Sequence, residues 1–420
     1  MWKPVGRTLE SYIRVNIIVL NDTCEIDGGA ARIAIEDAKQ MASRGHRVIF
    51  FSAGGRPPTA DDGLIEWISL GQANILQERR RWLATLRGLW NFRASWALDR
   101  LLASLPAVST VIHLHSWSKA LSGSVLSSAR RRGVPVVCTL HDYFVACPNG
   151  GLYDYPTQRV CGLPPMSLQC ASRNCDSRAY THKVWRILRQ LAWRHLAKIP
   201  RDFAAMIAVS AFSEAKLRPL LLNPALTRVD NLPRLDQQRT ITLEKRYGMV
   251  FAGRVASEKG VEVYLEACQR AGLQAEVWGD GPILAQLKLR WPQAHFSGWL
   301  NQAELQSRLR SALVLVVPSR WYETYGMVVA EAAAAGVAVV VSDNGAAADL
   351  VEHEVTGLRF RSADVVDLAA KLSFLHKQPE FALQMGMTAH RRFWDNYESR
   401  REQRAAAIEA VYASVIKPTT

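Results

Sequence analysis

Short apolar runs alternate with helical segments along this chain, in two series separated by a polar stretch. The first series opens with the strand-like IRVNIIVLND, turns through EIDGGAAR, continues as the helical AIEDAKQMASRG and returns as HRVIFFSAG. STVIHLHS, VPVVCTLHD and AMIAVSAFSEAKLR carry the pattern to about residue 235. Strand-helix alternation of this kind predicts α/β architecture, with a parallel sheet covered on both faces by helices. The chain then turns polar and Pro-containing in VDNLPRLDQQRTITLEKRYG, where a linker is expected. A second series follows through MVFAGRVASEKGVEVYLEACQRAG, AEVWGDGP, AHFSGWL, LVLVVPS and VAVVVSD, which reads as a second doubly wound sheet. The closing FALQMGMTAHRRFWDNYESRREQRAAAIEAVYASVI holds helix formers almost throughout. The expected domains are therefore residues 1–236, residues 237–385 and terminal helices at 386–420. A length of 420 residues suits two such domains.

No apolar run reaches the length of about 18–20 residues that spans a bilayer. The N-terminal MWKPVGRTLESYIR lacks a signal-peptide apolar region, so a cytoplasmic location is expected. The formal net charge of +14 is concentrated: residues 77–201 hold 19 Lys and Arg against 5 Asp and Glu, and the remainder balances at 33 against 33. Within that third, ERRRWLATLRGLWNFRASW and THKVWRILRQLAWRHLAK mix cations with Trp and Leu at helical spacing. Either a helix with a solvated basic face or one lying on an anionic membrane surface has this pattern. No zinc finger, basic zipper or RNA-binding aromatic signature is present, and no nucleic-acid partner is expected.

Four of the seven cysteines, Cys147, Cys161, Cys170 and Cys175, crowd into one insert-like segment. In a chain without a secretion signal such clustering favours a metal over disulfides, and a structural zinc site is expected there, with free packed thiols as the alternative.

In open α/β sheets ligands bind beyond the carboxyl ends of strands, which directs attention to three loops. In GRVASEKG, a strand ends at Gly253, Arg254 follows, and Lys259 precedes a helix start. Two cations beside a helix N-terminus suit a diphosphate, or else form a solvated turn. In PSRWYETYGMVVAE, Glu323 and Glu331 flank Tyr325, Gly326 and Met327. Backbone N–H groups at Gly326 and Met327 suit phosphate oxygens, and a carboxylate on either side suits sugar hydroxyls. In EIDGGAAR, Gly28 and Gly29 would allow close backbone approach, but the order is not the G-x-G-x-x-G dinucleotide fingerprint.

Taken with TLHD, VSAFS, WGDGP and HFSGWL, these segments resemble the retaining glycosyltransferases of family 4 over roughly residues 12–400. The most specific match is the E-x7-E pair Glu323 and Glu331, set in P-S-x-x-x-E-x-x-G-x-x-x-x-E. The resemblance implies the GT-B fold: two Rossmann-like domains facing across a cleft, the nucleotide-sugar donor mainly on the second, the acceptor on the first, and C-terminal helices crossing back. It implies that Arg254 and Lys259 bind the donor diphosphate, that Glu331 holds ribose and Glu323 the donor sugar, and that Gly28 and Gly29 approach the diphosphate. His141 of TLHD matches a position near the reacting carbon, although a histidine merely hydrogen-bonded at a strand end has the same signature. His113 and His115 are weaker candidates.

Front-face chemistry with a nucleoside-diphosphate sugar requires no cofactor on this reading, and no D-x-D loop suggests a catalytic metal. Asp349 departs from the glutamate that many relatives carry in G-x-x-x-E-L-V. The implied activity is transfer of a sugar to a glycan acceptor, a lipid-linked one in bacterial surface polysaccharide assembly, at the cytoplasmic face of the inner membrane. The rivals are a GT-B nucleotide-sugar epimerase and a catalytically silent binding protein.

Overall fold

The computed structural model describes residues 14–58, 63–221, 225–236 and 246–416. The N-terminal stretch before Arg14 and the middle of the expected linker, residues 237–245, lie outside the described residues. The chain divides into two compact units, one of Met1–Cys138, Leu196–Ala205 and Glu409–Thr420, the other of Thr139–His195 and Met206–Ile408.

Among the described residues nine strands form in the first half: β1 (Asn16–Thr23), β2 (Arg47–Gly54), β3 (Ile65–Ser69), β4 (Thr110–Leu114), β5 (Val136–Leu140), the two-residue hairpin strands β6 (Tyr153–Asp154) and β7 (Arg159–Val160), β8 (Ala205–Ala208) and β9 (Leu226–Arg228). Seven of them make one sheet in the order β3-β2-β1-β4-β5-β8-β9. β1 pairs in parallel with both β2 and β4, and β4 with β5. β1, β4 and β5 are buried almost end to end, which is why they read as continuous apolar runs rather than alternating ones. The buried Asp22 at the end of β1 accepts the backbone N–H groups of Lys119, Ala120 and Leu121 at 2.9, 2.8 and 2.8 Å, and so fixes the loop after β4. Within the same unit the chain end is held by Glu409, whose carboxylate pairs with Arg44 at 2.7 Å and His46 at 3.0 Å. Tyr412 lies with its hydroxyl 2.6 Å from Nδ1 of buried His113, which gives that histidine a structural partner.

The second sheet is built from β10 (Tyr247–Ala252), β11 (Ala275–Trp278), β12 (His295–Gly298), β13 (Ala312–Val317), β14 (Ala338–Ser342) and β15 (Gly357–Phe360), in the order β12-β11-β10-β13-β14-β15. Successive residues of its central strands feed opposite faces: Val314, Val316 and Val340 enter one apolar cluster, and Leu315, Val317, Val339 and Val341 another. Strand order reverses between the neighbours β10 and β13. A crevice opens at such a switch point, and the loops after these two strands line it.

Candidate active site

The loop after β10 runs from Gly253 through Arg254 to the 3-10 turn Ser257–Lys259, and Gly260 then starts the helix Val261–Ala271. The backbone carbonyl of Glu258 accepts the N–H of Arg320 at 2.9 Å, which ties this loop to the one after β13. The ε-ammonium of Lys259 donates to Oε1 of Glu323, 64 positions away in sequence, and sits 5.3 Å from the ring centre of Trp321. Arg254 extends its largely exposed guanidinium to 3.7 Å from the buried Glu258 carboxylate.

Glu323 is only 6 % exposed and also accepts from Ser319 Oγ at 2.7 Å. Burial alone would raise its carboxyl pKa. The Lys259 charge, with hydrogen bonds from Lys259 and Ser319, outweighs that and holds it below the ordinary carboxylate range. The Glu323 carbonyl accepts from Ala346 N at 3.1 Å. Next along, Thr324 donates its hydroxyl to the His141 carbonyl at 2.9 Å and accepts Ser210 Oγ on its own carbonyl at 2.6 Å. His141 is thereby placed beside the Glu323 loop through its backbone. Tyr325 is buried, and burial pushes its phenol well up. Gly326 adopts φ +98°, and a Cβ there would lie 2.8 Å from the Ala347 methyl, so only glycine fits ahead of the helix Met327–Ala334. The Met327 side chain packs with the apolar group around Tyr325 and Phe393, leaving its N–H as the part at the helix start. One turn further on, buried Glu331 accepts Gln302 Nε2 at 2.9 Å.

The structure thus brings Arg254, Lys259, Glu323, Tyr325 and Gly326 onto two loops at one switch point, with Glu331 on the helix that follows and the His141 carbonyl beside the second loop. Gly253 holds its loop in place by donating its N–H to the Trp278 carbonyl at 2.9 Å. Gly28 and Gly29 open the helix Gly29–Ser43 of the other unit. Gly28 is extended, with φ 168°, and an added Cβ would meet nothing within 4 Å, so no contact within the chain demands glycine there. Ser319 and Gln302 were not singled out in the sequence. Ser319 belongs to the P-S-x-x-x-E motif and could have been found from it, whereas nothing local marks Gln302.

The cysteine segment gives the zinc expectation no support. Among the described residues no group of three or more His, Cys, Asp or Glu side chains is arranged to hold a metal ion. Cys147, Cys170 and Cys175 are buried and Cys161 partly so, but a lysine takes the central position. Lys183, fully buried, donates to Cys175 Sγ at 3.2 Å and to Cys170 Sγ at 3.4 Å. Burial pushes the Cys175 thiol up. Lys183→Ala should therefore lose about 2–5 kcal/mol in urea unfolding, by removing a buried stem and the donor to both sulfurs, of which Cys175 keeps Asn149 Nδ2 at 3.8 Å, while Lys183→Met should lose less than about 1.5 kcal/mol. Equal losses for the two would assign the effect to the charge instead.

The helix Tyr180–His195 also departs from expectation, because its cations do not all line an exposed face. Arg189 is buried, stacked over Phe144, Trp185 and Trp193 at 5.0, 5.0 and 4.6 Å, and Arg186 pairs with buried Asp176 at 2.7 Å. Tyr180, Val184, Leu188 and Leu191 are exposed instead.

Two family descriptions match the chain: Glycosyltransferase Family 4 over residues 27–229 and Glycosyl transferases group 1 over residues 234–392. A GDP-mannose-dependent alpha-mannosyltransferase of Corynebacterium glutamicum is 37% identical over 122 residues, which span 29% of each chain. An alpha-D-kanosaminyltransferase of Streptomyces kanamyceticus is 26% identical over 289 residues, 61% of this chain and 73% of that one. The alignment thus spans less than a third of the first relative's length. Among solved structures, Anabaena HepE in complex with UDP and glucose superposes with a TM-score of 0.62 at 16% identity, covering 94% of this chain and all of that one.

Proposed function

The chain belongs to glycosyltransferase family 4 and has the GT-B fold, and from that membership we propose that it moves a sugar, with retention of anomeric configuration, from a nucleoside-diphosphate donor to a lipid-linked glycan acceptor. The observation that carries this reading is the Lys259–Glu323 pair at the switch point of the second sheet. An ammonium has three N–H donors, and one directed at Glu323 leaves two for phosphate oxygens. Lys259 keeps a quarter of its side chain exposed and Arg254 nearly two thirds, so both can reach a ligand in the crevice.

In this reading Arg254 and Lys259 hold the diphosphate and offset the charge that grows on the leaving β-phosphate, without calling on a metal. Glu323, ionised at neutral pH, accepts from hydroxyls of the donor sugar. Glu331, oriented by Gln302, accepts from the ribose. The acceptor oxygen attacks the anomeric carbon on the face from which the C–O bond to phosphate breaks, and its proton passes to the departing phosphate oxygen. His141 orients the reacting sugar or acceptor. The base is guanine or uracil, since a relative named for GDP-mannose and a fold neighbour solved with UDP both occur. The acceptor belongs to bacterial surface polysaccharide assembly at the cytoplasmic face of the membrane. No helix among the described residues is long and apolar enough to cross a bilayer.

A donor panel with GDP- and UDP-sugars, followed by product NMR with and without acceptor, tests the proposal. A β-linked product from an α-donor would exclude retention. An isomerised donor formed without acceptor would favour the epimerase, and nucleotide binding without any turnover would favour a silent binding protein. Glu331→Ala should weaken binding of the nucleoside diphosphate itself by about ten- to a hundredfold, the scale of a hydrogen bond to a charged group. Gln302→Ala should weaken it less, because the carboxylate remains. Unchanged affinity in calorimetry for Glu331→Ala would remove it from the ribose site.

A further inference from the structure

The helices Arg81–Leu89 and Phe92–Ala103 each turn small or aliphatic residues inward: Ala84 and Gly88 on the first, Ala94, Leu98 and Leu102 on the second. Their opposite faces carry large apolar side chains at i, i+4 spacing that the fold leaves in solvent. Trp82 is 63 % exposed and Leu86 55 %, followed by Phe92 at 77 % and Trp96 at 61 %. Solvated helix faces are ordinarily polar, and large apolar pairs on two consecutive helices, three of the four side chains aromatic, need a partner surface to account for them.

Charge indicates which partner. Arg79, Arg80, Arg81 and Arg93 flank these side chains and are exposed, and none of the four enters an ion pair among the described residues. Arg100 lies over the Trp96 ring at 4.8 Å. Beside Trp96 a groove of about 720 Å³ is lined by Trp90, Phe92, Arg93, Asp99 and Arg131; Asp99 is paired with Arg131 and Arg132, which leaves Arg93 as the cation there for an acidic headgroup next to acyl chains. Trp with unpaired Arg is the composition of an interfacial anchor: the indole and phenyl groups enter the headgroup–acyl boundary while the guanidinium groups meet lipid phosphates.

We propose that the face carrying Trp82, Leu86, Phe92 and Trp96, ringed by Arg79, Arg80, Arg81 and Arg93, docks on an anionic bilayer. This deepens the lipid-linked acceptor reading and rests on it for what is glycosylated at that surface, while the residues involved are separate from the donor site. Docking would hold the enzyme where a lipid-linked acceptor is concentrated.

The test is co-sedimentation of the full chain with vesicles of phosphatidylcholine alone or mixed with phosphatidylglycerol, with GDP and UDP binding measured on the same preparations. Binding is expected only to the mixed vesicles and should weaken as salt is raised. A Phe92→Ser, Trp96→Ser variant should bind them at least about tenfold less tightly, because two insertion side chains are lost. It should keep wild-type stability and nucleotide affinity, both positions being exposed. Arg79→Gln, Arg80→Gln, Arg81→Gln together should remove the preference for phosphatidylglycerol. Failure of the wild type to sediment with mixed vesicles, or wild-type sedimentation of both variants, overturns the proposal. So does arginine-dependent binding to duplex DNA without vesicle binding, which would assign the face to another polyanion. Nucleotide binding without vesicle binding sinks only the docking surface, and the reverse sinks only the donor-site reading.

Discussion

Lys259→Ala is expected to lower kcat by about 10²–10³-fold and to weaken donor binding as well, the scale seen when one preorganised positive group is removed from a developing negative charge. Two effects of this residue are separable. Towards the ligand, in the function proposed above, its charge would offset donor phosphate in the crevice, where water screens less well than in bulk. Towards the protein, it is the main partner of a buried carboxylate: without it Glu323 keeps Ser319 but loses the charge that outweighs burial. A folded-state carboxyl pKa below the unfolded value near 4.3 contributes stability that is present above that value and lost as pH falls through the folded one. In Lys259→Ala the carboxyl pKa should rise, and this acid-side contribution should shrink or reverse sign. Unfolding midpoints compared at pH 7 and pH 4 therefore report the pair, and turnover reports the ligand. Adding Glu323→Gln to Lys259→Ala should recover much of the stability, by removing the unpaired charge, and none of the turnover. Wild-type turnover in Lys259→Ala would end the diphosphate role.

How far this site could be read beforehand depended on how local its signals were. The second sheet was legible because β13 and β14, buried on both faces, are uninterrupted valine-rich runs that nothing but a covered parallel strand explains well, and the first because β1, β4 and β5 are continuous buried apolar runs of the same kind. The E-x7-E motif was legible because strand end, glycine and helix start fall within one short stretch. The Lys259–Glu323 bond was not, since it joins loops 64 positions apart and depends on β10 and β13 being neighbours. Gln302 reaches Glu331 from the helix after β12 for the same reason. The cysteine cluster was visible, but not the lysine eight residues beyond Cys175 that fills it. Spacing rules assume that cations on an amphipathic helix face water. Arg189 breaks that assumption because three aromatic rings and the Pro148 carbonyl replace the water it loses.

Gly260→Ala should disable the site without touching any group that meets the ligand. Gly260 follows Lys259 directly and adopts φ +71°, a left-handed conformation that costs about 1–2 kcal/mol for any other L-residue. A Cβ there would also fall 1.9 Å from the Pro318 carbonyl oxygen and 2.8 Å from its carbon, both backbone atoms at the end of β13. Neither can rotate aside, so the loop after β10 must move away from the loop after β13. The Arg320–Glu258 backbone bond and the Lys259–Glu323 pair both span that junction. A destabilisation of about 2–4 kcal/mol is expected, with a loss of turnover approaching that of Lys259→Ala, since misplacement by an ångström alone can cost about a hundredfold. Gly272 supplies the control, because it caps the other end of the same helix at φ +67°, and an added methyl there would meet nothing within 4 Å. Gly272→Ala meets the conformational cost alone, and should lose about 1 kcal/mol and no turnover. If the two alanines behave alike in unfolding and in donor affinity, the close approach of Gly260 to Pro318 does not hold Lys259 against Glu323.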